Sequence, residues 1–319
     1  MVTLSVVIPA TDRRATLDQV VAAVKRAAAG PEEVIVVDRP RHLGPAAARN
    51  LGSRRANGDV LVFLDADVEV HGDAFARIRA AFDNDASLTA VFGSYDDDPA
   101  GGGIVSDFRN LLHHHVHHEG AGVATTFWAG LGAVRRDAFL RVGGFDEERF
   151  PLPSIEDIEL GMRLHRHGGR ILLDPTIQGK HLKSWTFMGM AKTDLLRRGV
   201  PWLQLMLEDR STSTALNLGW RQRVGTGASV LLLATLARRK FRLAGSILML
   251  LIVLDRRFYG LLFRRRGGLL LAAGVPLHIV HRLTSAAAVP VALTKHLLSE
   301  RRPPAHEAER GGGLRRDHE

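Results

Sequence analysis

Through the first two thirds of the chain, apolar positions gather in short runs. Residues 4–8 (LSVVI), 34–37 (VIVV), 60–64 (VLVFL) and 88–92 (LTAVF) are four or five positions long and mostly apolar. Such runs predict strands buried on both faces of a mainly parallel sheet. Between them the apolar positions recur at helical spacing, as with Leu17, Val20, Val21 and Val24 on one face of residues 15–29. Helices are also expected over 72–82, 104–120, 135–142 (stopped by Gly143-Gly144), after Ser154, and over 188–207, with a further strand at 170–173 (RILL). Strand and helix in alternation make an α/β fold, a sheet flanked by helices.

Beyond residue 223 the pattern changes. Residues 224–237, 243–254 and 269–293 are apolar stretches separated by Arg238-Arg239-Lys240, Arg256-Arg257 and Arg264-Arg265-Arg266. The first two fall short of the roughly 20 residues a single bilayer-spanning helix needs. The third is long enough but contains His278, His281 and Arg282, which are costly in lipid. Two readings stay open: a hairpin and interfacial helices lying on an anionic membrane, or weak transmembrane helices with basic flanks in the cytoplasm. A soluble helical partner domain is the plain alternative. The expected organisation is an α/β domain over 1–210, a hydrophobic and basic helical region over 211–300 that associates with membrane, and a disordered tail over 301–319.

Charge sharpens this division. Residues 210–319 hold 19 Lys and Arg against 6 Asp and Glu, whereas residues 1–209 are slightly acidic. The arginines border leucine runs without interleaved aromatics, which favours lipid headgroups over nucleic acid. Cysteine is absent, which excludes disulfides, a thiol nucleophile and cysteine-based zinc sites. The opening apolar run is closed by Pro9 after five residues and does not read as a signal peptide, so the α/β domain is expected in the cytosol, at the cytoplasmic face of the cell membrane.

Candidate chemistry begins where the 60–64 run ends, at Asp65-Ala66-Asp67. Ligands of open α/β sheets collect outside the carboxyl ends of the strands, so these carboxylates suit Mg2+ or Mn2+, ions that keep waters and substrate phosphates as further ligands. An acidic solvated turn is the bland alternative. Arg49, on a helix leading into this strand, is either a surface residue or a donor to a diphosphate. No GxGxxG or Walker sequence follows either of the first two strands. Five histidines between His113 and His118 fall at i, i+4 spacing and could hold a metal; a polar helix lining a cleft, with Arg109 and His114 meeting phosphate or sugar hydroxyls, is preferred. The loop over 96–103 (DDDPAGGG) is read as solvated and without chemistry. Ser154 suits an N-cap, with Glu156 and Asp157 in the first helical turn, where the dipole favours carboxylates. Trp185 is a platform for a sugar ring or a core residue.

The series VVIP, IVVD, GPAAARNLG and GDVLVFLDAD resembles the nucleotide-binding half of the family 2 glycosyltransferases, which have the Rossmann-like GT-A fold. The resemblance implies a nucleotide-sugar donor, its base near Pro9, Thr11 and Asp38, with Arg49, Asp65 and Ala66 also on the donor side and its diphosphate on a cation held by Asp65 and Asp67. It further implies that the TTFWAGLG segment, with Trp128 and Gly130, lies under the acceptor and donor sugar. Asp157 resembles the family's catalytic base, with Glu156 steadying it or touching the acceptor, and His181 resembles a histidine that completes the cation shell. Lys180 and Lys183 add positive charge for phosphate. Ala10 and Asp12, and Arg39-Pro40 after Asp38, depart from the family pattern, so a UDP-sugar is the default donor only. The function implied is metal-dependent, inverting glycosyl transfer to a lipid or glycan acceptor. The rival is a noncatalytic membrane scaffold or sensor that binds nucleotide sugars; a nucleotidyltransferase would carry a glycine-rich, lysine-containing loop where this chain has PATDRRAT.

Overall fold

The structure, a computed structural model, describes residues 1–12, 15–208 and 219–300. The expected 210/211 boundary and the tail from 301 lie outside the described residues. Eight strands form one sheet among these residues: β1 (Leu4–Pro9), β2 (Glu33–Val37), β3 (Val60–Leu64), β4 (Val68–Val70), β5 (Leu88–Tyr95), β6 (Gly122–Ala124), β7 (Leu131–Arg135) and β8 (Arg170–His181). Their order is β2-β1-β3-β7-β5-β8-β4, with β6 also on β8.

Helix α1 (Leu17–Arg26) connects β1 to β2 and α2 (Pro45–Arg55) connects β2 to β3, and such crossovers make β2-β1-β3 parallel. The sheet as a whole is mixed rather than mainly parallel. β7 enters antiparallel between β3 and β5, and β4 and β6 pair antiparallel with β8. An apolar run such as that of β7 has the same composition in either direction, so only long-range pairing decides its sense.

β3 is buried on both faces, as its unbroken apolar run requires. Val60, Val62 and Leu64 face α1 and α3 (Ala74–Asn84) through Val20, Val24, Phe75 and Ile78. Leu61 and Phe63 face the opposite layer, which holds α5 (Arg136–Arg141) and α6 (Glu156–Arg166). There the Phe63 ring lies 5.0 Å from Phe145 and 5.4 Å from Phe139, each such burial contributing about 2 kcal/mol. Gly161 lets α6 approach closely: a Cβ there would stand 2.2 Å from the backbone nitrogen of Phe127. The second turn of α6 is thereby held against Thr126 and Phe127.

The helical region is part of the same body. Helices α4 (Ile104–Glu119) and α7 (Phe187–Lys192) are followed by a π-helical turn (Thr193–Gly199) and α8 (Val200–Glu208), then α9 (Trp220–Ala237), α10 (Phe241–Leu254) and α11 (Arg256–Glu300). α9 and α10 pair through Leu232, Ala244, Ile247 and Leu251. α11 packs Phe258, Leu262, Leu270 and Leu277 onto Phe108 and Leu111 of α4. It bends at Gly267, whose φ of +72° is left-handed backbone that glycine tolerates. The 96–103 loop, expected to be solvated, is the dock for this bend. Arg265 pairs with Asp97, and Arg266 reaches Asp98 and Asp107 at 3.2 Å.

Among the described residues, one helix, 256–298, is long and apolar enough to cross a membrane by length and composition. Large apolar side chains stand exposed around it, including Trp220, Phe241 and Leu269 at 69, 67 and 72%. They alternate with the basic clusters noted above.

Candidate active site

At the carboxyl end of β3 the chain turns tightly, the Val68 N–H donating to the Asp65 carbonyl at 3.0 Å, and this turn presents both acidic side chains. Asp67 is buried, and Asp65 is partly open. β4 then pairs with β8 in a register that sets Val68 opposite His181, which brings that histidine beside Asp67. His181 Nδ1 lies 2.6 Å from Asn110 Oδ1 of α4. A carboxamide oxygen only accepts, so Nδ1 carries the proton and Nε2 is left as the lone-pair nitrogen, 3.8 Å from Asp67 Oδ2. Tyr95 stacks on the ring at 4.2 Å and fixes its plane.

Among the described residues no group of three or more His, Asp or Glu side chains assembles in metal-binding geometry. Asp67 with the lone pair of His181 nevertheless fits a divalent cation in donor type and orientation. A hydrogen-bonded second ring nitrogen is the usual companion of a histidine ligand, and water and phosphate oxygens are the usual remaining ligands.

The other acidic pair approaches from α6. Arg49 of α2, buried, donates through Nη2 to Asp65 at 2.7 Å and through Nη1 to Glu156 at 3.0 Å. It therefore joins the end of β3 to the start of α6. Asp157 Oδ2 accepts the Ala129 N–H at 3.2 Å, and Oδ1 accepts its neighbour's N–H at 2.8 Å. The Asp65 N–H donates to the Gly130 carbonyl, so the Ala129-Gly130 segment touches both acidic sites. Burial and the adjacent Glu156 carboxylate push the Asp157 carboxyl up to about 6, against the opposing pull of Arg49. Ser154 does not cap α6 with its side chain. Its Oγ donates to the Arg197 carbonyl at 2.8 Å, and Ile155 stands at the cap.

These groups line one cleft of about 1930 Å³. Pro9, Thr11, Arg49 and Asp65-Ala66-Asp67 form one side, with Glu156, Asp157, Trp128 and His181 beside them. Arg109 and Trp185 also line it, but Arg109 is committed to a buried ion pair with Asp194 at 2.7 Å. Lys183 lies 4.2 Å from the Trp185 ring centroid, whereas Lys180 is turned to Asp98 at 2.6 Å, away from the cleft.

Three expected residues do not line the cleft: Gly130 stands behind Asp65, its carbonyl accepting the Asp65 N–H, and Asp38 and His114 lie elsewhere. Asp38 is exposed at the end of the sheet-edge strand β2, and His42 and Leu43 line the cleft in its place. His114 points to the neighbouring face of α4, where Nδ1 meets the Tyr95 carbonyl at 2.9 Å and the ring stacks on His118. His113 and His117, one and three residues from His114, line the cleft against Trp128. Burial pushes His117 down to about 4 and His113 well below its ordinary value, so both rings are neutral at pH 7. Asn110 and Tyr95 carry no sequence signal of their own, and their part is visible only through His181.

Residues 18–143 match the sequence model of Glycosyl transferase family 2. The chain is 30% identical over 221 residues to validoxylamine A glucosyltransferase of Streptomyces hygroscopicus subsp. limoneus, covering 52% of this chain and 48% of the relative. It thus spans about half the length of that curated relative. Its fold is similar to that of mannosyltransferase PcManGT from Pyrobaculum calidifontis, solved in complex with GDP-Man and Mn2+. That likeness has a TM-score of 0.52 at 15% identity and covers 94% of this chain and 88% of the other.

Proposed function

We propose that this chain, whose residues 18–143 match the Glycosyl transferase family 2 model and whose mixed sheet resembles the GT-A fold, moves a sugar from a nucleotide-sugar donor to an acceptor hydroxyl, with Mg2+ or Mn2+ and with inversion. The observation that carries the reading is the two-armed contact of Arg49 to Asp65 and Glu156. It puts the donor-side carboxylates and the α6 carboxylates in one cleft, as a single displacement at one carbon requires.

In this reading Asp67 and His181, with Asp65, hold the cation, and Arg49 lies beside the donor diphosphate. When bound, the cation supplies positive charge for the nucleoside diphosphate leaving group. Asp157 takes the proton of the acceptor hydroxyl while that oxygen bonds to the anomeric carbon and the bond from that carbon to the diphosphate oxygen breaks. Its two backbone N–H donors fix the carboxylate and leave lone pairs for the incoming hydroxyl. Glu156, held by Arg49 and by the Ser154 N–H at 2.8 Å, positions the first turn of α6. Trp128 lies where a sugar ring would stack. A UDP-sugar is the default donor and a lipid or glycan the acceptor class.

The exposed apolar faces of α9, α10 and α11, interleaved with arginines, support attachment to an anionic membrane from the cytoplasmic side. The test is a panel of nucleotide sugars with manganese, scored for sugar release and transfer. Asp157→Asn should abolish turnover while nucleotide still binds. Full turnover in that variant would remove Asp157 from the mechanism.

A further inference from the structure

The cleft is larger than its donor end needs. Small-molecule sites are typically about 300–1,000 Å³, against about 1930 Å³ here. The far end is walled by the π-helical turn, by Trp202 of α8 and by Arg282 and Ser285 of α11. Its chemistry is opposite to that of the donor end. Where Asp65, Asp67, Glu156 and Asp157 call for a cation, the last residue of α7, Lys192, and the turn after it, with Arg197 and Arg198, present positive charge.

Resting on the transfer reading above, we propose that the end of α7 and this turn form a subsite for an anionic group of the acceptor, a phosphate or a carboxylate, held by Lys192 and Arg198. Nearby cations are already matched: Arg109 and His281 share Asp194 at 2.7 Å each, and Arg282 pairs with Asp255 at 2.8 Å. Lys192 and Arg198, both exposed, line the cleft without a hydrogen bond or close ion pair among the described residues, Arg198 within electrostatic reach of the already shared Asp194. An anion bound between them would gain charge-assisted hydrogen bonds from both.

A second observation is buried. Arg282, only 5% exposed, keeps Nη1 without a hydrogen-bond partner, and the indole Nε1 of Trp202 is likewise unpartnered. Gly225 of α9 makes the room for this guanidinium, since a Cβ there would stand 2.5 Å from it. Buried donors without partners are rare and point to a missing acceptor.

The turn is also tied to the chemistry. Ser154 Oγ donates to the Arg197 carbonyl at 2.8 Å, and Arg197 Nη1 donates to the Pro153 carbonyl at 3.2 Å. The cations are thus hydrogen-bonded, through their own backbone turn, to the segment that leads into Glu156-Asp157. An acceptor held by its charged group at Arg198 would present its hydroxyl toward Asp157.

Calorimetric titration of the full chain with decyl phosphate, decanol and inorganic phosphate, below micelle formation and without nucleotide, tests this. Decyl phosphate should bind about tenfold more tightly than decanol. The difference should vanish in Lys192→Gln/Arg198→Gln and return with Lys192→Gln/Arg198→Lys, with thermal melting confirming that each variant is folded. Inorganic phosphate binding as tightly as decyl phosphate would assign the anion to a soluble acceptor, and tight binding of decyl phosphate alone to an amphiphilic one. Equal affinity for decanol and decyl phosphate, or no change in the double variant, overturns the proposal. No nucleotide is present, so the result stands apart from whether the chain transfers a sugar.

Discussion

Arg49 Nη2 stands 2.7 Å from Asp65 Oδ1, and the same buried guanidinium meets Glu156. One cation thereby neutralises carboxylates from two distant parts of the chain. Removing one partner of a buried ion pair typically costs about 3–5 kcal/mol, and Asp65, being partly open, brings this case toward the lower figure. Arg49→Met is expected to unfold at lower urea concentration by about 3 kcal/mol. An unchanged urea midpoint would show that the contact contributes nothing to stability.

The protonation of Asp157 gives a pH signature. The proposed base would work ionised, and its carboxyl is pushed up to about 6 by burial and by Glu156. The rate is therefore expected to rise with pH through about 6 and then level off. Glu156→Gln removes the raising charge and should move that limb to lower pH, whereas Arg49→Met removes the lowering charge and should move it to higher pH. Stability follows the opposite course. A carboxyl raised above its unfolded value near 4 binds more protons when folded, so its contribution falls as pH rises from about 4 to 6. Asp157→Asn should thus melt higher than the parent at pH 7.5 and lose that advantage below about pH 4. A pH–rate limb indifferent to Glu156→Gln would refute the electrostatic coupling.

Asn110 orients His181 without facing the proposed cation. Loss of such an outer hydrogen bond typically costs about 10–100-fold in metal affinity. Asn110→Leu is expected to weaken manganese-dependent nucleotide binding by about tenfold, and His181→Ala and Asp67→Ala by more. Titrations with and without chelator measure this. Equal nucleotide affinity in all three variants would place the cation elsewhere.

What the sequence makes legible here is what lies close together along the chain. The β3 run and its Asp65-Ala66-Asp67 ending need no partner to be read, because an unbroken apolar run and its acidic terminus are local. The α6 carboxylates were visible as an acidic first turn, and only the family likeness gave them a role. The antiparallel entry of β7 was hidden because pairing sense is set across the sheet. The histidine run offers a ring to nearly every face of α4, and packing decides that His113, His115 and His117 line the cleft while His114 does not, His114 and His117 each meeting a β5 backbone carbonyl. Asp194 was one polar residue in an amphipathic stretch. That it would anchor Arg109 and His281 depends on how α11 folds back.

Attachment to membranes is measurable by flotation. The full chain is expected to rise with vesicles rich in anionic lipid and to do so less at high salt, since arginine–headgroup attraction is screened within about 10 Å at 0.1 M. Phe241→Ser with Trp220→Ser, both exposed apolar side chains, should reduce recovery further. Equal recovery with neutral and anionic vesicles would leave the basic clusters without this role.

The bend of α11 has an outcome for any attempt to isolate the α/β half. His281 and Arg282, past Gly267, reach back to Asp194 and Asp255 and close the far wall of the cleft. A fragment cut before α9 would keep every strand yet lie open on that flank, with Arg109 and Asp194 missing their third companion. The hydrophobic third of the polypeptide is therefore architecture for the cleft, and deleting it to gain solubility would remove one of the cleft's own walls.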